Sequence, residues 1–375
     1  MRVWVKEFGE ILTIEKADIW TIHGGVKLFK LDRISDVDMN EPIIVTKYDS
    51  EIAGLRDKYN ILIFEECVQE ISLIVTKKVT QNFDYYYLLN GLKHAKAHDV
   101  DTVIVGSSYG LFGIDSSMLK KEVNLSLSSQ DYYYSVMCAR KAIADNPEIK
   151  NIVICTGYMF TYFDLSKTHN LNELTRIGDV YNPIFNDSHN CMLIASGNNI
   201  VLSSPILNVS WFEDVYAASE YENGYFSEDR CRGKLGAKGW SDLTKEWSDL
   251  TPEERKNYGQ KRALQHNKFV KNILTYTENR YIINEFSQYC NDKQINLIFM
   301  VTPTSQEYDK YLDERYKSAF YEMLNETEGK VHVLDFMNDN IKFENEDFSD
   351  ADHLGESGSR KVTEVLLDFL NGLRN

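Results

Sequence analysis

From residue 99 onward the chain alternates apolar, β-branched runs with stretches of helical periodicity, and few folds accommodate that order. "DTVIVGSS" (101–108) reads as a strand that breaks at a turn of small residues. "VNLSLSS" (123–129) is a second short strand, and "QDYYYSVMCARKAIADN" (130–146) a helix that Asn146-Pro147 ends. "KNIVICTG" (150–157), "QINLIFMVTP" (294–303) and "KVHVLDF" (330–336) supply three more strands, and "GESGSRKVTEVLLDFL" (355–370) predicts a closing helix. Strands that are apolar along their whole length must be covered on both faces, which calls for a parallel sheet between two layers of helices. The expected fold class is therefore α/β, a three-layer α/β/α domain built on about five parallel strands.

The first 98 residues carry signals of their own. "EPIIVTKYDSEIAGLRDKYNILIFEE" (41–66) predicts a strand ending near Thr46, a helix over Asp49–Tyr59 and a strand over Ile61–Phe64. This is a fragment of a β/α alternation, so residues 1–98 are expected to form a small α/β accessory domain and residues 99–375 the main one. "HGG" at His23–Gly25 is not the spaced glycine turn that cradles a dinucleotide, and no nucleotide site is expected from it. Between the third and fourth main strands lies a long interruption, about 164–260, expected to be a helical or irregular insertion. Within it "WSDLT" occurs twice, placing Trp240 and Trp247 seven residues apart. A local duplication is the simpler reading, and a pair of exposed aromatic rings for a carbohydrate or partner is the other. Thr251-Pro252 predicts a fresh helix start.

Composition excludes several classes. Acidic residues (57) outnumber basic ones (41), a formal charge of -16, which is the wrong sign for a nucleic-acid footprint. The six cysteines are scattered with no C-x-x-C pair, so neither a disulfide framework nor a zinc site is expected. The N-terminal "MRVWVKEFGE" lacks the charge and apolar pattern of a signal peptide. Apolar runs such as "INLIFMV" fall far short of the ~20 residues of a membrane helix. A soluble, cytoplasmic protein without a membrane span is expected. Its oligomeric state cannot be read.

Chemistry concentrates where the strands end. In an open parallel sheet, ligands sit beyond the carboxyl ends of the strands. Ser107-Ser108-Tyr109 follow the first strand, Ser128-Ser129 the second, Thr156-Gly157-Tyr158 the third and Thr302-Pro303 the fourth. The loop "DFSDADHLGESG" (347–358) follows the fifth and sets Asp350 three residues before His353. A serine at a tight turn leaving a strand can expose its hydroxyl and aim its own N–H at a developing oxyanion. It needs a base, which His353 could supply, with Asp350 fixing the imidazole tautomer. Simpler roles exist for each residue: a turn for Ser108, helix caps for Asp350 and its neighbours. Asp350, Asp352 and His353 could alternatively be metal ligands. Arg262 and His266, four apart in "QKRALQHNKFVKN" (260–272), share a helix face. They read as a solvated basic face or as a reach toward an anionic part of a substrate.

"VIVGSSYGLFGID" (103–115) together with "FSDADHLGESGSRKVTEVL" (348–366) resembles the SGNH, or GDSL-type, hydrolase superfamily, whose fold is a flavodoxin-like α/β/α sandwich. It is most similar to branches associated with polysaccharide O-acetylation and D-alanyl transfer. The resemblance covers about residues 99–163 and 262–375 and implies Ser108 as nucleophile with Asp350 and His353 as its partners. It implies an oxyanion pocket near Ser128 and Gly157; the strand ends add Tyr158 and Thr302, and the α-helical spacing adds His266, as candidate substrate contacts. Three blocks depart from the pattern, the second by offering Ser128 or Ser129 in "LSLSSQ" where the family has an oxyanion-hole glycine, a change that a backbone N–H donor survives. Ser107 stands where the family has aspartate, and Met159 stands where it has an asparagine whose amide donates to the oxyanion. Methionine cannot donate, and such a donor contributes about 10²–10³ in rate. The expected function is an esterase or O-acyltransferase, needing no cofactor, that acts on an acyl ester of a carbohydrate or glycan precursor. The alternative is a catalytically weak module that binds a glycan or partner on the same fold.

Overall fold

The computed structural model of the chain describes residues 82–168, 170–191, 245–338 and 341–374, with residues 58–59 and five strand segments nearer the N-terminus. Two compact units emerge: Met1–Phe83 with Asn198–Glu220, and Asp84–Gly197 with Tyr221–Asn375. In the first unit, β1 (Arg2–Val5), β2 (Ile19–Ile22), β3 (Val26–Lys30), β4 (Ile43–Val45) and β5 (Ile61–Ile63) make one sheet, ordered β2-β3-β1-β4-β5. All its pairings are parallel except that of the edge strand β2 with β3. The strands expected near Thr46 and at 61–64 are β4 and β5. The helix expected between them, apart from 58–59, and the "HGG" turn lie outside the described residues.

Helix α1 (Phe83–His94), inside the 1–98 span expected for the accessory domain, lies in the second unit from Asp84 onward. Its Tyr87 hydroxyl donates to the Asn124 carbonyl at 2.7 Å, and Gly91 lies against the Leu125 side chain, both residues of the second unit. The sheet that follows is all parallel: β6 (Thr102–Gly106), β7 (Glu122–Asn124), β8 (Asn151–Thr156), β9 (Asn296–Val301) and β10 (Val331–Asp335). Its order is β7-β6-β8-β9-β10, or 2-1-3-4-5 counted along this unit. β7 is shorter than the run "VNLSLSS" suggests. Leu125 and Leu127 still donate to the β6 carbonyls of Ile104 and Gly106, but the chain then leaves for the rim.

Helices α2 (Ser108–Gly113), α3 (Tyr132–Asp145), α4 (Pro252–His266), α5 (Ile273–Asp292), α6 (Arg315–Asn325) and α7 (Glu356–Arg374) follow, with further short helices at Leu171–Arg176, Asn182–Phe185 and Gln306–Asp309. Alternate strand residues face opposite layers. Ile104, Val153, Cys155, Ile298 and Met300 pack with Val362, Leu366 and Leu370 of α7. Phe299, on the other face, meets the rings of Tyr132 on α3 and Phe320 on α6, at 6.0 and 5.8 Å between centroids. Helices on both faces explain why the central strands have no polar alternation.

Where the insertion returns to the sheet, Trp247 joins the core cluster that also holds Ile298 and Leu366, with none of its surface exposed. The reading of the tryptophans as a surface ring pair therefore fails at Trp247, whose indole is buried in the apolar core; Trp240 lies outside the described residues. Thr251 then starts α4 as expected: its side chain accepts from Glu254 N while the Glu254 carboxylate takes Thr251 N. Among the described residues no helix is long and apolar enough to cross a membrane.

Candidate active site

Gly106 ends β6 at φ 141°, a conformation L side chains rarely adopt, and a Cβ there would lie 2.0 Å from the Cys155 carbonyl oxygen. The chain can turn out beside β8 only because this residue is glycine. Ser107 follows as the cap of α2, its Oγ accepting from Tyr109 N at 3.2 Å. Ser108 is thus the first residue of a short helix, where a backbone N–H has no acceptor within the helix.

The loop after β10 is tied down on its own terms. Asp347 takes hydrogen bonds from Lys361 Nζ and Ser357 Oγ, both at 2.6 Å, and from Glu344 N at 2.8 Å. Phe348 and Leu354 form an antiparallel bridge that folds the intervening residues into a tight turn. Inside it, Asp350 Oδ1 accepts from the backbone N–H groups of Asp352 (3.0 Å) and His353 (2.9 Å). Those bonds fix the carboxylate under the imidazole: His353 Nδ1 lies 3.0 Å from each Asp350 oxygen. The other ring nitrogen, Nε2, lies 2.9 Å from Ser108 Oγ. With Nδ1–H donating to Asp350, Nε2 carries the lone pair that faces the serine hydroxyl. Tyr109 and Phe112 flank the ring, each with its centroid 5.5 Å away, and His353 is 3% exposed.

A second layer of charge lies behind the imidazole. Arg262 Nε and Nη2 donate to Asp352 Oδ1 and Oδ2 at 2.8 and 3.2 Å, and the Tyr109 hydroxyl donates to Oδ2 at 3.1 Å. Burial works against the Asp352 carboxylate, but Arg262, with His353 adding to it, outweighs burial and holds Asp352 well below the usual carboxylate range. For His353, burial disfavours the imidazolium, yet Asp350 and then Asp352 outweigh it, so its pKa is raised. His266 goes the other way. Burial, with the Arg262 charge adding to it, lowers it to about 3, and its Nδ1 is 2.6 Å from the Tyr308 hydroxyl. Arg262 and His266 do share a face of α4: His266 is buried against Tyr308, whereas Arg262, its side chain 39% exposed, reaches from the surface to the buried Asp352.

The remaining expected site residues fall into two groups. Ser128 and Thr302 are buried at the rim with hydroxyls that have no hydrogen-bond partner. Ser129, beside Ser128, turns the chain at φ 58°. Gly157 is extended and packs on the ring of Tyr109. Tyr158 is buried, its hydroxyl donating to Asp335 Oδ2 at the end of β10 at 2.6 Å and its ring packing on Phe320. Met159, in place of the amide donor, is buried and accepts from the Tyr308 hydroxyl through Sδ at 3.9 Å. Sequence reasoning missed Tyr308 and gave Tyr109 no role. Both lie far along the chain from Asp352, and no spacing rule connects them.

Among the described residues two clusters have metal-ligand chemistry: Asp350, Asp352 and His353, and Asp131, Asp164 and His189. In the first, every carboxylate oxygen already faces an N–H or O–H donor. In the second, Asp131 caps α3 and also accepts from Leu165 N, Lys167 pairs with Asp164 at 2.8 Å, and His189 Nε2 faces Glu278 at 3.1 Å.

No family model and no curated protein matches the chain. A solved structure from Streptococcus pneumonia, provisionally described as a platelet activating factor, is similar at 11% identity over 82% of this chain and 99% of its own, with a TM-score of 0.34.

Proposed function

We propose that this chain is an SGNH-type serine esterase or O-acyltransferase that acts on an acyl ester, an acetyl ester first, of a carbohydrate or glycan precursor. The observation that carries the reading is the single imidazole that bridges Ser108 Oγ at 2.9 Å and the Asp350 carboxylate at 3.0 Å. In this reading Ser108 Oγ attacks the ester carbonyl and its proton passes to His353 Nε2. The tetrahedral oxyanion is met by backbone N–H groups at Ser108 and near Ser128 or Gly157. His353 returns the proton to the departing alkoxide, leaving an acyl-serine. Water then releases the acid, or a sugar hydroxyl takes the acyl group, with His353 again as base. Asp350 stays ionised throughout, orienting the ring and stabilising the imidazolium. The first unit serves as an accessory domain, and the protein works inside the cell.

A second reading has one observation in its favour. Met159 occupies the place of an amide donor, and its sulfur is engaged by Tyr308. A rim without that donor suits a glycan- or partner-binding module with an idle serine. Labelling with a fluorophosphonate probe, located by mass spectrometry, separates the two. An adduct on Ser108 that disappears in His353→Ala supports the hydrolase reading. A folded protein with no adduct at Ser108 sinks it.

A further inference from the structure

His353 Nδ1 faces two carboxylates, not one. Asp350 is in hydrogen-bond contact, and Asp352 Oδ1 lies 3.9 Å away, its side chain 2% exposed. Two buried anions around one imidazole stabilise its proton, whereas a general base must be free of that proton at working pH. The counterweight comes from a distant part of the chain. Arg262, on α4 after the insertion, forms the two-bond pair with Asp352. Such a planar pair fixes the carboxylate as well as offsetting its charge.

We propose that Arg262 is a positioning residue: by pairing with Asp352 it leaves Asp350 as the one carboxylate whose negative charge acts in full on His353. Other groups face the imidazole without supplying that charge. Ser108 and Tyr109 approach from α2, Phe112 is apolar, and His266 on α4 is held neutral by burial. Tyr308 sits beyond Asp352 with its proton retained, again because burial disfavours the phenolate. Arg262 is thus the only cation among these groups. The inference deepens the proposed function and rests on His353 as its base.

The test is a charge cycle read in two ways. One reading is the pH dependence of kcat/KM for p-nitrophenyl acetate. The other is the NMR titration of the His353 Cε1–H resonance, which needs no turnover. Arg262→Met leaves Asp352 uncompensated, so His353 should keep its proton to higher pH, with both midpoints moving up by about one unit or more. Asp352→Asn leaves Arg262 uncompensated and should move them down. The double variant should return within a few tenths of a unit of the wild type. Arg262→Lys, which keeps the charge, should lie nearer the wild type than Arg262→Met. Lost rate with unmoved midpoints, or shifts that fail to cancel in the double variant, would overturn the proposal. If Arg262→Met does not fold, a downward NMR shift in Asp352→Asn still supports it and an unmoved one overturns it. Cancelling NMR shifts in a protein that hydrolyses no ester would keep the charge assignment and remove the hydrolase reading.

Discussion

Asp350 has two tasks at the scale of one residue. Its Oδ1 accepts two backbone N–H groups of its own turn, and both oxygens face the His353 ring. An asparagine could keep the backbone bonds through its carbonyl oxygen but would present no charge to an imidazolium, and its amide could force the wrong ring tautomer. Asp350→Asn should therefore cost about 10³–10⁴ in kcat while the melting temperature shifts little. Steady-state kinetics beside a thermal melt would check this, and a rate within tenfold of the wild type would remove Asp350 from the proposed mechanism. The pairing was legible before any coordinates, because Asp-x-x-His spacing lets one turn carry both groups. Tyr158 was not: it follows Gly157 at the end of β8, yet the carboxylate of Asp335 draws its hydroxyl sideways along the same rim to the end of β10.

Two glycines at the scale of elements decide where reactive side chains stand. Gly106 lets β6 turn beside Cys155. Gly259, in the middle of α4, allows that helix to approach the Glu307 backbone so closely that a Cβ would sit 2.5 Å from its carbonyl carbon. That contact seats Arg262 and His266 one and two turns further along. Gly106→Ala combines a forbidden φ with a backbone overlap and should destabilise the second unit by about 3 kcal/mol or more, read as a lower urea midpoint. Thr251→Ala removes half of the capping box of α4 and should cost about 1 kcal/mol, with a smaller change in the same measurement. If Gly106→Ala left the midpoint unchanged, β6 would have to turn differently from the geometry described. The start of α4 was readable from Thr251-Pro252. The partners on its inner face were not, since a mean composition rich in Lys, Arg and Glu says surface, and only the meeting with Tyr308 buries His266 and the meeting with Asp352 ties down the half-exposed Arg262.

For the whole molecule, acid sensitivity is the measurable consequence of these buried groups. His266 titrates at about 6.5 in an unfolded chain but is held down to about 3 in the folded one, chiefly by burial. Between those values the unfolded state binds a proton that the folded state refuses, so stability falls as pH falls. His332, lowered by burial and by Lys330, acts in the same direction. His353, whose pKa is raised, has the opposite sign: its contribution is complete below about 6.5 and is lost only as pH rises through its folded value. Each histidine held neutral should therefore subtract about 1.4 kcal/mol per unit below about pH 6.5, with Asp131, pushed up to about 6 by burial, acting in the opposite sense over part of that range and Asp352 and Asp347 adding their own loss at lower pH. Urea midpoints across pH 4–7 should slope less in His266→Gln than in the wild type, and equal slopes would take His266 out of the account.

The sequence by itself determined the sheet and its rim. Runs that are apolar at every position demand cover on both faces, and local rules for glycine, caps and Asp-x-x-His turns act within a few residues, so they survive any tertiary arrangement. It also pointed to Ser108, Asp350 and His353, because strands of one parallel sheet deliver their ends to a common edge. Only the tertiary structure decided what surrounds them. Arg262 reaches Asp352 across ninety residues of chain, Tyr308 takes Met159 and His266 as partners, Tyr158 turns to Asp335, and Trp247 enters the core. Each of these is a long-range contact chosen by complementary charge, shape and burial, and no period or spacing in the sequence encodes it.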